Sequence, residues 1–191
     1  RPEDARAHLL TALPLFGPAA PTDDFIRALC QMVKVCLTLH YSAEALNYAQ
    51  QAAGLSIGTH DERVGADARA ALGMALSATK DYAGAIPHLE AALAVPPAAV
   101  EGAFNNVELQ RSLAVSRAES GDLDRAAEIY RGAAERAVAA GSKLDQAAAL
   151  RDLGLLYAQR RKMHEAQREW SAALVLYEAE NQTAQICRLH C

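Results

Sequence analysis

A repeat constrains this chain more than anything else in it. Ala5, Ala45, Ala85, Ala126 and Ala166 follow one another at separations of 40, 40, 41 and 40 residues. Four places on from each come Leu9, Ala49, Leu89, Tyr130 and Trp170. Seven places on come Ala12, Ala52, Ala92, Ala133 and Ala173. Offsets of four and seven lie on one helical face, so each copy predicts a helix with a small–large–small stripe. A second stripe precedes four of the copies, at Met32-Val33, Leu72-Gly73, Leu113-Ala114 and Leu153-Gly154. The breaks between stripes read Tyr41-Ser42, Lys80-Asp81-Tyr82, Gly121-Asp122-Leu123 and Arg161-Lys162-Met163, too short for anything but a helix hairpin. No segment alternates with period two, so no sheet is expected.

The composition agrees with a layered helical stack. Apolar residues make up 51% of the 191 residues but aromatics only 5%, with alanine supplying much of the difference. Alanine favours helix and close helix contact while filling little volume, which suits many thin layers better than one bulky core. The net charge of −4 gives no basis for binding nucleic acid or an anionic membrane. No apolar run reaches the ~18 residues of a spanning helix, and no secretory leader is expected. Cys30, Cys36, Cys187 and Cys191 sit in helical patterns rather than a disulfide framework, which predicts a reducing, cytoplasmic setting. Asn181-Gln182-Thr183 matches the glycosylation sequon, which carries little without a secretory signal. The chain opens at Arg1 without a methionine, so it is expected to be part of a longer polypeptide.

Read in order, residues 1–20 are a truncated repeat: 1–13 read as a second helix whose first helix is missing, and the helix-breaking stretch PLFGPAAP follows from residue 14. Full units are expected at 22–60, 61–98, 99–141 and 142–180, and 181–191 start a further helix, all within one solenoid over 1–191. Thr59-x-x-Glu62 has capping-box form and is expected to open the second full unit. Ser142 with Asp145 is expected to cap the fourth, and Gly141 to stop the third. Arg117 breaks the pattern: it stands where Leu76 and Tyr157 stand in the neighbouring units. It must either snorkel out of the interface or turn its helix.

The stretch from Leu144 to Glu178 shows the grammar most fully. Leu153, Gly154 and Tyr157 are followed by Ala166, Trp170 and Ala173, with Trp170 expected to be buried between the two helices. This resembles the tetratricopeptide repeat, in the long form of about 40 residues found in kinesin light chains, cortical and synaptic adaptors and bacterial signalling regulators. HEAT and armadillo repeats have similar periods, but the G-D-L and K-D-Y turns and the small-residue pattern favour the tetratricopeptide reading. The resemblance covers almost the whole chain.

The resemblance implies an all-α, right-handed α-solenoid whose first helices line a concave groove. The inward face would then carry Arg27, Cys30 and Lys34 in the first unit and Ala70 and Met74 in the second. Arg111, Val115 and Glu119 would follow in the third, and Arg151, Leu155 and Gln159 in the fourth. Family members that clamp a C-terminal carboxylate use asparagine where this sequence has Lys34, Met74, Val115 and Leu155, so that clamp is not expected. A basic and apolar groove suits an amphipathic, mildly acidic protein segment. The plainer reading of the same arginines is a solvated face.

Three motifs hint at chemistry. Gly54-Leu55-Ser56-Ile57-Gly58, with His60 and Asp61 close by, matches the nucleophile elbow, but that device needs a strand-to-helix turn and here it joins two helices. Cys187, His190 and Cys191 share a helix face, as do Cys36 and His40, yet nothing brings four ligands together. Gly141-Ser142-Lys143 lacks the upstream glycine of a phosphate loop. The expectation is a non-catalytic protein-interaction scaffold or adaptor with no cofactor and no metal. It would bind a protein partner, not nucleic acid or membrane, and self-associate through open solenoid ends. The alternative is a regulatory or ligand-sensing segment of a larger signalling ATPase or transcription regulator.

Overall fold

Each stripe in the sequence closes into a helix. The computed structural model describes residues 1–16, 23–96 and 102–181. In chain order they form α1 (Pro2–Ala12), a 3-10 turn (Leu13–Leu15), α2 (Asp23–Thr38), α3 (Ser42–Ser56), α4 (Glu62–Ala78) and α5 (Tyr82–Leu93). After these come α6 (Asn106–Glu119), α7 (Leu123–Ala139), α8 (Lys143–Gln159) and α9 (Met163–Ala179). There is no strand among the described residues. The chain is an all-α solenoid of helix hairpins, divided into two compact units at residues 1–109 and 110–191.

In the first unit each helix from α1 to α4 packs on its successor, and α2 also touches α4. That second contact, between the leading helices of adjacent hairpins, is what stacks hairpins rather than leaving them as separate pairs. The buried faces are Ile26, Leu29, Met32 and Val33 of α2 against Ala45, Ala49 and Ala52 of α3, then Ala71 and Ala75 of α4 against Ala85, Leu89 and Ala92 of α5. In the second unit α7 packs on α8 and α8 on α9. One cluster there joins Ala114, Ala126, Tyr130, Leu153, Leu156, Tyr157 and Ala166, with Trp170 packed against it. Ala147, Ala173 and Tyr177 form a second cluster between α8 and α9.

The glycine–large-residue pairs set the spacing within a hairpin. A Cβ on Gly73 would lie 2.6 Å from Cγ of Leu89, and one on Gly154 would run into Cδ1 and Nε1 of Trp170. Only a missing side chain lets the second helix seat its large residue this close to the first. Trp170 is half-buried rather than enclosed. Its indole Nε1 donates to the carbonyl oxygen of Arg151 at 3.2 Å, so the ring is pinned at its polar edge while its body packs.

The turns repeat as closely as the stripes. His40, Lys80, Gly121 and Arg161 adopt φ of 63°, 68°, 92° and 57°. The next amide in each case returns to the carbonyl five residues back: Tyr41 to Cys36 at 2.8 Å, and Asp81 to Leu76, Asp122 to Arg117 and Lys162 to Tyr157 at 2.9 Å. This is the Schellman closure, which satisfies carbonyls that a helix end would otherwise orphan. Asp81 and Asp122 then cap the following helices by accepting from the amides of Gly84 and Arg125. Left-handed backbone costs a non-glycine residue about 1–2 kcal/mol. Lys80→Gly is therefore expected to raise stability by about 0.5–1 kcal/mol after the extra chain entropy of glycine is subtracted. Urea unfolding checks this, and a loss of stability would show that the Lys80 side chain matters more than its backbone.

One local expectation is corrected and two are met. Thr59 is not the cap of α4. Asp61 is, its carboxylate accepting from the Arg63 amide at 2.9 Å. Thr59 Oγ1 instead accepts from the Asp61 amide at 3.1 Å and donates to Asp23 at 2.7 Å, tying the loop to the start of α2. Asp61 wins because it stands immediately before the first helical residue, where an acceptor reaches the exposed amides. Arg117 snorkels: its stem is half-buried and its guanidinium comes within 3.7 Å of Asp122 in the turn. Ser142 caps α8, donating from Oγ to Asp145 at 2.9 Å and accepting its amide at 3.4 Å. No described helix is long and apolar enough to cross a membrane.

Candidate functional site

Two of the four rows read from the sequence come together within the second unit. Val115 and Glu119 from α6, with Arg151, Leu155 and Gln159 from α8, line a cleft of about 340 Å³ whose other walls are Ala118, Tyr130, Asp152 and Leu156. Leading helices one repeat apart present the same face side by side, so residues at equal register meet. Leu155 is 51% exposed, a large apolar side chain at the lip of the cleft. Glu119 and Gln159 are exposed at one end, and Val115 is half-buried behind Leu155.

The arginines are arranged otherwise than as an open basic edge. Nε and a terminal nitrogen of Arg111 donate to Oδ2 of Asp152 at 2.8 and 2.6 Å. Nε and a terminal nitrogen of Arg151 donate to Oδ1 at 3.0 and 2.7 Å. Asp152 keeps only 12% of its side chain exposed, and Arg111 and Arg151 keep 23% and 22%. Two guanidinium forks on one carboxylate, mostly out of water, lock all three side chains. Burial alone would lower the Arg151 guanidinium, but its charge and hydrogen bonds with Asp152 outweigh that and the net direction is up. Burial pushes the Tyr130 phenol up, and the Asp152 charge adds to it. The cleft thus has an apolar floor, one exposed leucine and a fixed polar flank.

Asp152 and Tyr130 are the members that reading single rows misses. Asp152 is one place off the Arg151 row, and its function comes from a pairing across helices, with Arg111 41 residues earlier. A carboxylate flanking a repeated arginine was the available signal.

The remaining sequence-named residues belong to the first unit. Arg27 is exposed and pairs with Asp61 at 3.3 Å. Lys34 pairs with Glu108 at 3.1 Å and lies over the Phe104 ring at 5.5 Å. Cys30 is buried and Met74 half-buried. Cys30 and Cys36 are buried free thiols, and burial raises both. No cluster of three metal-capable side chains occurs among the described residues. Ser56 of the G-x-S-x-G match ends α3 and donates to the Ala53 carbonyl at 2.9 Å. Cys187, His190 and Cys191 lie outside the described residues.

Against this geometry, the solved structures define a class of fold. The chain matches the TPR-like repeats of a kinesin light chain from Podosopora anserina with a TM-score of 0.67 at 14% identity, over 95% of this chain and 89% of that one. BtubC (BKLC) from P. vanneervenii matches with a TM-score of 0.66 at 14% identity, over 93% and 71%. MamA matches with a TM-score of 0.60 at 18% identity, over 95% and 91%. No protein-family model matches, and no curated protein matches in sequence. At such identities the likeness is one of fold: this chain has the TPR-like fold.

Proposed function

We propose that the chain is a non-catalytic protein-interaction scaffold that takes an amphipathic, mildly acidic segment of a partner in the cleft between α6 and α8. The observation that carries this is the convergence of Val115, Arg151, Leu155 and Gln159 on one cleft with Leu155 half in solvent. An exposed leucine beside an apolar floor gains most by being covered, at roughly 25 cal/mol per Å² of apolar surface removed from water. The clasped arginines and Gln159 give fixed donors that set the register of a partner's carboxylates and amides. With Asp152 and Glu119 set against Arg111 and Arg151, they add direction more than net attraction. Arg27, Lys34 and Met74 extend the same reading to the leading helices of the first unit. The proposed repeat units keep the boundaries given by the sequence period.

The reading includes a reducing, cytoplasmic setting and the absence of nucleic-acid and membrane partners. It also includes self-association, for which Leu10, Leu15 and Phe16 offer exposed apolar surface near α1.

The test is a comparative pull-down with the full chain. Proteins retained by the parent should be lost with Leu155→Asp and kept with Val138→Asp, which alters an exposed apolar residue that is not part of the cleft. For an isolated partner, Leu155→Asp should raise the off-rate at least about tenfold, the scale of an anchoring contact. Equal retention by both variants would move the docking surface elsewhere.

A further inference from the structure

A second crevice lies in the first unit and shares no residue with the cleft just described. Its volume is about 710 Å³, and it is walled by the end of α3 and the loop after it (Gly54, Ser56, Thr59, His60), by Arg69 of α4 and by His88 of α5. Sites that enclose a small organic ligand have volumes of this order.

Arg69 is the telling residue. Among the described half-buried arginines, Arg6, Arg111, Arg117, Arg151 and Arg160 each have a carboxylate within 4 Å. Arg69 is half-buried too, yet no hydrogen bond or ion pair joins it to any described residue; its Nε is sealed from solvent without a partner, as in Arg6 and Arg117, but those two keep a terminal nitrogen on a carboxylate. Leaving a guanidinium partly dehydrated and unpaired costs free energy that this fold avoids at its other half-buried arginines. Its guanidinium lies along α4 beside Gly65, with NH1 3.4 Å from where a Cβ on that glycine would stand.

The rest of the wall is compatible with an anion. Asp61 borders the crevice but is engaged by Arg27 at 3.3 Å and by the Arg63 amide at 2.9 Å. Glu62 is exposed at the rim. The hydroxyls of Thr59 and Ser56 already donate, to Asp23 and to the Ala53 carbonyl. That leaves Arg69, His60 and His88 as the donors, one planar fork and two imidazoles. This set fits an oxyanion, because a guanidinium matches a carboxylate or phosphate edge with two parallel bonds.

We propose that this crevice binds a small organic oxyanion. Its phosphate or carboxylate would sit on Arg69 between His60 and His88, and its body would lie along the α3 wall at Gly54. The site is independent of the cleft between α6 and α8, and would give a scaffold a small-molecule input.

Calorimetric titration of the full chain with inorganic phosphate, and separately with citrate, tests it. At least one probe is expected to bind with a millimolar dissociation constant, and the two arms distinguish phosphate from carboxylate recognition. Arg69→Gln should weaken that binding at least about tenfold, the effect of losing one bidentate charged contact. Arg63→Gln, at an exposed position on the same helix, should leave it unchanged. If Arg69→Gln fails to fold, Gly54→Leu serves instead. It adds a side chain at a helical position where a Cβ meets nothing within 4 Å, and should narrow the crevice and weaken binding without touching Arg69. In NMR spectra the same probe should shift the ring signals of His60 and His88. The proposal is overturned if neither probe binds, or if binding persists unchanged in Arg69→Gln or, where that variant does not fold, in Gly54→Leu.

Discussion

Trp170→Ala is expected to lower the unfolding free energy by about 3 kcal/mol, at the lower end of the range for removing a packed tryptophan because the ring is half-exposed. Three losses combine. The ring leaves the cluster that holds Tyr130, Leu153 and Tyr157 together. The bond from Nε1 to the Arg151 carbonyl goes with it. Gly154 has no side chain to relax into the vacated space, so the cavity stays open. Gly154→Leu alone should also destabilise, by about 1–3 kcal/mol, because its side chain runs into the indole. Together the two changes should cost less than their sum, since the new leucine fills the hole left by the ring. Urea unfolding of the four proteins, followed by far-ultraviolet circular dichroism, gives the coupling directly. Strict additivity would mean that the two helices do not meet through this pair.

Asp67→Asn is expected to stabilise the protein at neutral pH, by about 1–3 kcal/mol. Asp67 is 5% exposed, and its Oδ1 accepts from the Ala103 amide at 3.1 Å. Burial raises its carboxyl from 3.8 to about 6, against smaller lowering effects of the Ala103 bond and the Arg27 charge. The sign follows from which state holds the proton more tightly. The folded carboxyl does, so this group favours folding as pH falls from about 6 towards 3.8, and penalises it once ionised above about 6. A shift of about two units corresponds to about 3 kcal/mol, the upper bound of the gain. Asparagine keeps an acceptor for Ala103 and carries no charge, so variant and parent should differ most at about pH 7.5 and converge near about pH 4. Cys30, buried nearby, raises no rival in this window because burial moves its thiol up. A gap that stays constant with pH would assign the effect to packing rather than to ionisation.

The hairpins were legible because their packing rule is local and periodic. A small residue in one helix faces a large one in the next, 16 places on, as in Gly73 with Leu89 and Gly154 with Trp170. Spacing alone exposes such a rule. The cleft was legible in part for the same reason: Val115 and Leu155 hold equal register on adjacent leading helices, so stacking brings them together. What stayed hidden depends on side chains that reach across elements. Arg111 and Arg151 read as free charges in a row, and only the folded chain puts Asp152 between them. Thr59 matched a capping formula, yet Asp61 stands nearer the exposed amides of α4. Arg69 had no feature in the sequence to set it apart from a surface arginine. Its unpaired state is a property of the crevice, not of its neighbours along the chain.

The recurrence of one turn at His40, Lys80, Gly121 and Arg161 bears on how such a chain can change length. Each turn closes its own helix with bonds that begin and end within six residues, drawing on nothing further away. A cut made at one turn and rejoined at the next would leave both ends with the same backbone geometry. Gene segments encoding about 40 residues could therefore be gained or lost between these points with little local disruption. The residues facing the clefts, which differ from unit to unit, would then be what such an exchange reshuffles.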